Sequence, residues 1–86
     1  MIQKVNAPVS VLLLSDSRKR TVTPYLISWA GKRYKVSKLT WHTPRRIGRT
    51  LVHDYSVMAG ELYFLLRLNT ESQQWTLLEI ADNEPN

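Results

Sequence analysis

Two stretches of alternating apolar and polar residues, each interrupted by an Ala-Gly pair, dominate the pattern of this chain. In the first stretch, residues 25–36, the pair Ala30-Gly31 fits a two-residue hairpin loop, which places Ile27 opposite Tyr34. The apolar face of this hairpin would carry Tyr25, Ile27, Trp29, Tyr34 and Val36. The other face carries Arg33 and Lys35, and a slip of one residue would mix the two faces. The pattern therefore predicts a hairpin with one buried and one cationic face.

The second stretch, residues 51–68, predicts a hairpin around Ala59-Gly60. With this turn the predicted pairs are Val57 with Leu62, Tyr55 with Phe64, His53 with Leu66, and Leu51 with Leu68. All of these residues except His53 are apolar or aromatic, so we expect this face to lie in the core. The reverse face is mixed, and its apolar members are Val52, Met58, Tyr63 and Leu65.

The rest of the chain supplies shorter strands and loops. Residues 1–8 are interpreted as a loose lead-in, and residues 9–14 as a strand that is central because it is apolar on both sides. After a basic loop at residues 18–20, a strand begins near Thr21 or Tyr25. A bulge or bend is expected near Ser37, followed by a short strand with Leu39 and Trp41.

Pro44 and Gly48 indicate a loop over residues 42–49, on which Arg45, Arg46 and Arg49 would sit. Residues 74–80 form the last strand, and the acidic residues 82–86 are expected to fray. The sum is one domain over residues 1–86, all-β, with five to six antiparallel strands. We expect a curled sheet or a small, partly open barrel of SH3-like or OB-like type.

Charge is distributed unevenly along the chain, which has a net charge of +5. Residues 18–49 hold ten of the twelve basic residues and no acidic residue, whereas most acidic residues follow residue 50. Such a cluster suits an anionic partner, although Lys and Arg can also serve simply to solvate strand faces and loops. The absence of cysteine excludes disulfides and thiol nucleophiles and fits a cytoplasmic protein. Neither a signal peptide nor a membrane span is expected, and no membrane partner.

Catalytic chemistry has few candidates. His42, His53 and Asp54 are the only ones of note, and nothing in their spacing indicates a catalytic triad. His53 lies on the apolar face, where a core imidazole bonded to a backbone carbonyl is the simpler interpretation, and Asp54 points to the other face. Two histidines without cysteine make a weak metal site, and three glycines leave no phosphate-binding loop. We therefore expect no enzyme, no metal and no cofactor.

Nucleic-acid binding is the leading functional hypothesis, because small barrels bind single strands with cationic grooves and aromatic platforms. The candidate binding residues are Arg33, Lys35, Lys38, Trp41, Arg45, Arg46 and Arg49. The alternative is a protein-interaction or oligomerisation module. It would use the reverse face of the second hairpin or the opposite charges of the two halves of the chain.

The run Trp29-x-Gly31-Lys32-Arg33-Tyr34-Lys35-Val36, followed by a basic loop and aromatic-rich strands, resembles a small bacterial domain of unknown function. That domain occurs alone or appended to polymerase-like accessory proteins of mutagenic DNA repair. The resemblance covers residues 24–82 and implies a compact all-β module in a DNA-transaction setting, with no catalytic residues to carry over. The loop at residues 43–50 and the segment before Pro24 depart from the pattern of that domain.

Overall fold

The computed structural model describes residues 1–82 as seven strands in one antiparallel sheet. The strands are β1 (Ile2–Asp16), β2 (Thr21–Trp29), β3 (Lys32–Lys35), β4 (Lys38–Ile47), β5 (Thr50–Ala59), β6 (Leu62–Asn69) and β7 (Gln74–Asp82). Their order in the sheet is β3-β2-β1-β7-β6-β5-β4, and the two edge strands do not pair, so the described sheet is not closed. The all-β antiparallel prediction is confirmed, but with seven strands rather than five or six.

Strand β1 joins two parts of the sheet. Its first half, residues 2–9, pairs with β7, and its second half, residues 10–16, pairs with β2. The register shifts between Lys4 and Ala7, where Asn6 has a φ of 50°. Bulges of this kind bend a strand and increase its twist. Residues 2–8, which the sequence suggested were a loose lead-in, are thus part of a bulged strand.

The core lies on the concave face of the curled sheet, which we define as the face that carries Ile27 and Phe64. Its buried members are Ile27, Tyr55, Val57, Ala59, Phe64, Leu66 and Leu77. Because Tyr34 of β3 contacts Phe64 of β6 with ring centroids 5.0 Å apart, the β1-β2-β3 part folds over the rest. The opposite side of each strand forms the convex face.

The first hairpin has the predicted register. Ile27 pairs with Tyr34 and Trp29 with Lys32, and both loop residues have positive φ, as a type I′ turn requires. Tyr25 is an exception to the predicted buried face, since it is exposed. It is the extra residue of a bulge, because Leu12 pairs with Leu26 but Leu13 with Pro24.

The second hairpin has the predicted faces but the wrong predicted pairs. Its turn is Gly60-Glu61, one residue later than expected, so Val57 pairs with Phe64 and Tyr55 with Leu66. The error moves every pair by two residues, and a shift of two leaves each side chain on its face.

The predicted loop over residues 42–49 is wrong, because β4 continues to Ile47 and only Gly48-Arg49 form the turn. Pro44 was interpreted as a strand breaker, but β4 is an edge strand, where a missing backbone N–H costs no ladder bond. At the other end of the chain, Asp82 does not fray. It belongs to β7 and accepts a hydrogen bond from the Met1 ammonium at 3.0 Å. Residues 83–86 lie outside the described part.

Residues 12–24 form a two-stranded arm. Within the described chain, Leu13–Asp16 pair only with Thr21–Pro24. The pairing of β1 with β7 ends at Val9, and the pairing of β2 with β3 ends at Leu26. Leu12, Leu13, Leu14 and Val22 are 44–58% exposed. Their apolar character led to the expectation of a covered central strand. β1 is an interior strand in the order of the sheet, but these side chains are exposed. At the tip, the Asp16 carboxylate accepts the backbone N–H of Arg18 at 2.9 Å.

Candidate nucleic-acid interface

The seven candidate binding residues lie on the two edge strands and one turn. Arg33 and Lys35 belong to β3, and Arg49 lies in the β4-β5 turn. The other four, Lys38, Trp41, Arg45 and Arg46, belong to β4. Because β3 and β4 are separated by only two residues, Lys35 and Lys38 are neighbours along the chain although their strands stand at opposite ends of the sheet order.

Arg33 and Lys35 point to the convex face. Their partners are Ser28 and Leu26, which alternate with the buried Ile27. The Lys35 ammonium lies 5.8 Å from the centre of the exposed Tyr25 ring, a distance at which a cation is attracted by the ring face. The predicted cationic face of the first hairpin is therefore on the outer side of the sheet.

Trp41 also points to the convex face, because β4 carries a bulge between Leu39 and Trp41. Leu39 pairs with the buried Val57, whereas Trp41 pairs with Ser56 on the opposite side. The Thr40 hydroxyl fixes this bulge by donating to the Ser56 carbonyl at 2.9 Å. Trp41 is left 48% exposed near the start of β4, where Lys38 lies on the same face.

Arg45 is engaged in an intramolecular cluster around Asp54. Asp54 is only 2% exposed, and its carboxylate accepts two hydrogen bonds from Arg67, from Nε at 2.7 Å and from Nη2 at 2.9 Å. Arg45 Nε lies 3.4 Å from the same carboxylate. The hydrogen bond with Asp54 raises the pKa of Arg67, so the guanidinium stays charged. Asp54 can balance only one of the two guanidinium groups, so the cluster keeps a net charge of +1, and Arg45 is its more exposed cation.

Arg46 lies apart from Arg45 on the concave face, where it pairs with Leu51. Arg49 lies in the turn beside Gly48, whose φ is 61°. Consecutive residues of a strand point to opposite faces, so Arg45 and Arg46 do not lie together on the loop that the sequence suggested. The prediction of a loop is therefore wrong for Arg45 and Arg46, and only Arg49 lies in a turn.

A row of aromatic rings that sequence reasoning missed crosses the concave face from β4 to β7. The His42 ring stacks on Tyr55 with centroids 4.3 Å apart, and Tyr55 lies 5.4 Å from Trp75. His42 Nε2 is 2.8 Å from His53 Nδ1, so the partner of His53 is this ring rather than a backbone carbonyl. Burial, and secondarily the neighbouring His53, lower the pKa of His42. The register of β4 against β5 brings His42 onto Tyr55, and the pairing of β5, β6 and β7 brings Trp75 beside it.

The placement of the cations has a second, purely structural explanation. Edge strands are protected against pairing with other chains by Lys, Arg and Pro; β3 carries Lys and Arg, and β4 carries all three. The reverse face of the second hairpin, which is the alternative interaction surface, is partly covered. Val52 is buried, and Ile2 of β1 lines the same shallow cleft as Tyr63 and Leu65.

Within residues 1–82, no three His, Cys, Asp or Glu side chains are grouped as metal ligands. The described chain also has no helix long and apolar enough to cross a membrane. No family model, curated protein or solved structure matches the chain. The resemblance to a domain of DNA-repair accessory proteins therefore stays a prediction.

Proposed function

We propose that this chain is a non-catalytic nucleic-acid-binding module that takes single strands on the convex side of its β3-β4 region. The observation that carries the proposal is the exposed indole of Trp41, held by a bulge on the face that also carries Lys38. A base stacked on an aromatic ring contributes about 1–3 kcal/mol, and it does so for every base type.

The cations suited to phosphate are Arg33, Lys35 and Lys38. Among residues 1–82, no carboxylate lies within 4.0 Å of these three, whereas Arg45 has Asp54 at 3.4 Å. Three phosphate contacts on a single strand correspond to a log–log salt slope of roughly −2. Arg45, Arg46 and Arg49 would add a weaker contribution, since they do not share one face.

The curled, open sheet is compatible with the SH3-like or OB-like barrels expected from the sequence, and that finer assignment is part of the proposal. Barrels of this size bind single strands across a sheet face rather than in a deep pocket. The chain would then act by holding a strand for other proteins, with no chemistry of its own.

The test is fluorescence polarization with a labelled single strand of about 12 nucleotides and a duplex of the same length. We expect Trp41→Ala to weaken single-strand binding about 5- to 150-fold, and Trp41→Phe to retain most of it. Ile47→Ala is the matched control, because Ile47 lies on the same strand and is 49% exposed. Equal losses for Trp41→Ala and Ile47→Ala would contradict stacking.

The cationic site has its own control. Lys35→Glu with Lys38→Glu should reduce the salt slope by about 1.4, whereas Arg18→Glu with Lys19→Glu at the arm tip changes the net charge equally. If both pairs weaken binding alike, affinity follows net charge and the β3-β4 site is refuted. A dissociation constant for single strands above about 10 μM at low salt would refute the nucleic-acid hypothesis as a whole.

The second candidate function is a protein-interaction or oligomerisation module. The exposed leucines of the arm favour it, because isolated apolar side chains are ordinary on a surface but several on one ribbon are not. This candidate does not require Trp41, so the same Trp41→Ala variant separates the two.

A further inference from the structure

The arm presents an edge that the protein does not protect. Residues 10–16 of β1 pair with β2 on one side and with no described strand on the other. Along this edge run Leu12, Leu13 and Leu14, and the segment contains no Lys, Arg or Pro. The edge strands β3 and β4 of the same sheet differ from this segment, because they carry residues that discourage pairing.

We propose that this edge pairs with the same edge of a second copy of the chain, antiparallel, about a twofold axis near Leu13 and Leu14. Two arms would then form a four-stranded sheet, and the backbone groups along residues 10–16 would gain partners. Such an interface is isologous, because each copy uses the same surface. The leucines of both arms would cover one another on the two faces of the new sheet.

Charge supports a second copy as the occupant. In an antiparallel pairing, the tip of the partner's arm runs toward the start of the free edge, near Ser10. There β7 begins, with Trp75 beside Val9, and the preceding turn carries the exposed Glu71. The tip itself carries Arg18, Lys19 and Arg20, all exposed. Each tip would therefore meet one carboxylate of the other copy.

The shape of this region agrees with the same arrangement. An open cleft lies where β1 leaves β7, and its walls include Val9, Val11, Gln74 and Trp75. A tip that followed the free edge would end at this cleft.

A nucleic acid would bind only the cationic tip and would leave the leucines of the arm exposed to water. The free edge therefore favours a protein partner over a nucleic acid.

The absence of cysteine makes the geometry directly testable by cross-linking. Residues opposite their own copy at the axis have Cβ atoms about 4.5–5.5 Å apart, close to the separation that a disulfide requires. We expect Leu13→Cys or Leu14→Cys to form a disulfide dimer under mild oxidation at least about tenfold faster than Ile47→Cys, an equally exposed residue on β4. Equal rates at all three positions would overturn the proposal.

A non-covalent test uses sedimentation equilibrium on the intact chain from about 1 to 200 μM, a range suited to small interfaces. We expect a monomer–dimer equilibrium that Leu12→Lys with Leu14→Lys shifts to monomer. Ile2→Lys with Ile47→Lys adds the same charge at other exposed positions and should leave the mass unchanged. Glu71→Lys should weaken the dimer, and Arg18→Glu with Lys19→Glu in the same chain should restore it.

Two outcomes would refute the second-copy assignment. One is a monomeric mass throughout the concentration range. The other is an unchanged mass for the arm variants together with loss of oligonucleotide binding, which would assign the arm to nucleic acid instead. Near-ultraviolet circular dichroism of the tryptophans confirms that each variant keeps its fold.

Discussion

Replacing Arg67 should destabilise the protein far more than replacing Arg45, although both guanidinium groups contact the same carboxylate. The Asp54 side chain is 3% exposed, and Arg67 holds it with two short hydrogen bonds. Removing one partner of a buried pair costs about 3–5 kcal/mol, because the other charge is left without compensation. Arg67 is itself 26% exposed and Arg45 remains nearby, so we expect about 2–4 kcal/mol for Arg67→Met.

The Arg45 contact is longer and more open. Its Nε lies 3.4 Å from Asp54 and its side chain is 54% exposed, which places it in the range of surface ion pairs. Such pairs contribute about 0–1 kcal/mol, so Arg45→Met should be nearly neutral. In a domain of this size, each kcal/mol moves the melting temperature by about 4–8 °C, so the two variants are easily distinguished.

Urea denaturation at pH 7, followed by circular dichroism, measures both free energies of unfolding. The double variant Asp54→Leu with Arg67→Met should be more stable than Arg67→Met alone, because no buried charge then lacks a partner. Equal costs for Arg45→Met and Arg67→Met would refute the assignment of the stabilising contact to Arg67.

Two further predictions concern the histidine pair and the first turn. Because folding lowers the pKa of His42, the unfolded chain binds more protons near its ordinary pKa of 6.5, so stability should be complete above that pH and decline as pH falls through the folded value. Urea midpoints between about pH 5 and 8 should show this decline, and His42→Phe should reduce it; an identical pH profile for the variant would contradict it. Ala30 has a φ of 53°, a conformation that Asn tolerates better, so Ala30→Asn should stabilise the protein by about 0.5–1 kcal/mol. A lower melting temperature for Ala30→Asn in calorimetry would show that the loop does not carry this strain.

The sequence was most informative where a short loop fixed the geometry. The Ala30-Gly31 loop left one register compatible with burial of Ile27 and Tyr34, and that register is found. The second hairpin offered Ala59-Gly60 and Gly60-Glu61 as turns, and both keep the same residues on the core face. Alternation therefore determined which side chains are buried, but it could not choose between pairings that differ by two residues.

Properties that depend on the neighbouring strands could not be obtained from the pattern. The residues around Pro44 indicated that it ends a strand. It is acceptable within β4 only because β4 lies at the edge of the sheet. Leu12 to Leu14 look like a covered strand because the pattern cannot show that the pairing of β1 with β7 ends at Val9. The candidate site shares this limit, since the bulge at Thr40 decides whether the Trp41 indole faces the core or water.

The division of β1 between two partners has a consequence for the order of folding. Residues 10–16 find β2 within a few residues along the chain, and β4 to β7 form a run of neighbouring hairpins. The first half of β1, by contrast, must wait for residues 75–81 of β7, which are made after the other six strands of the described sheet. Pairings across such a separation are slow to form, so we expect a nascent chain in which only the second half of β1 is paired until β7 has been synthesised.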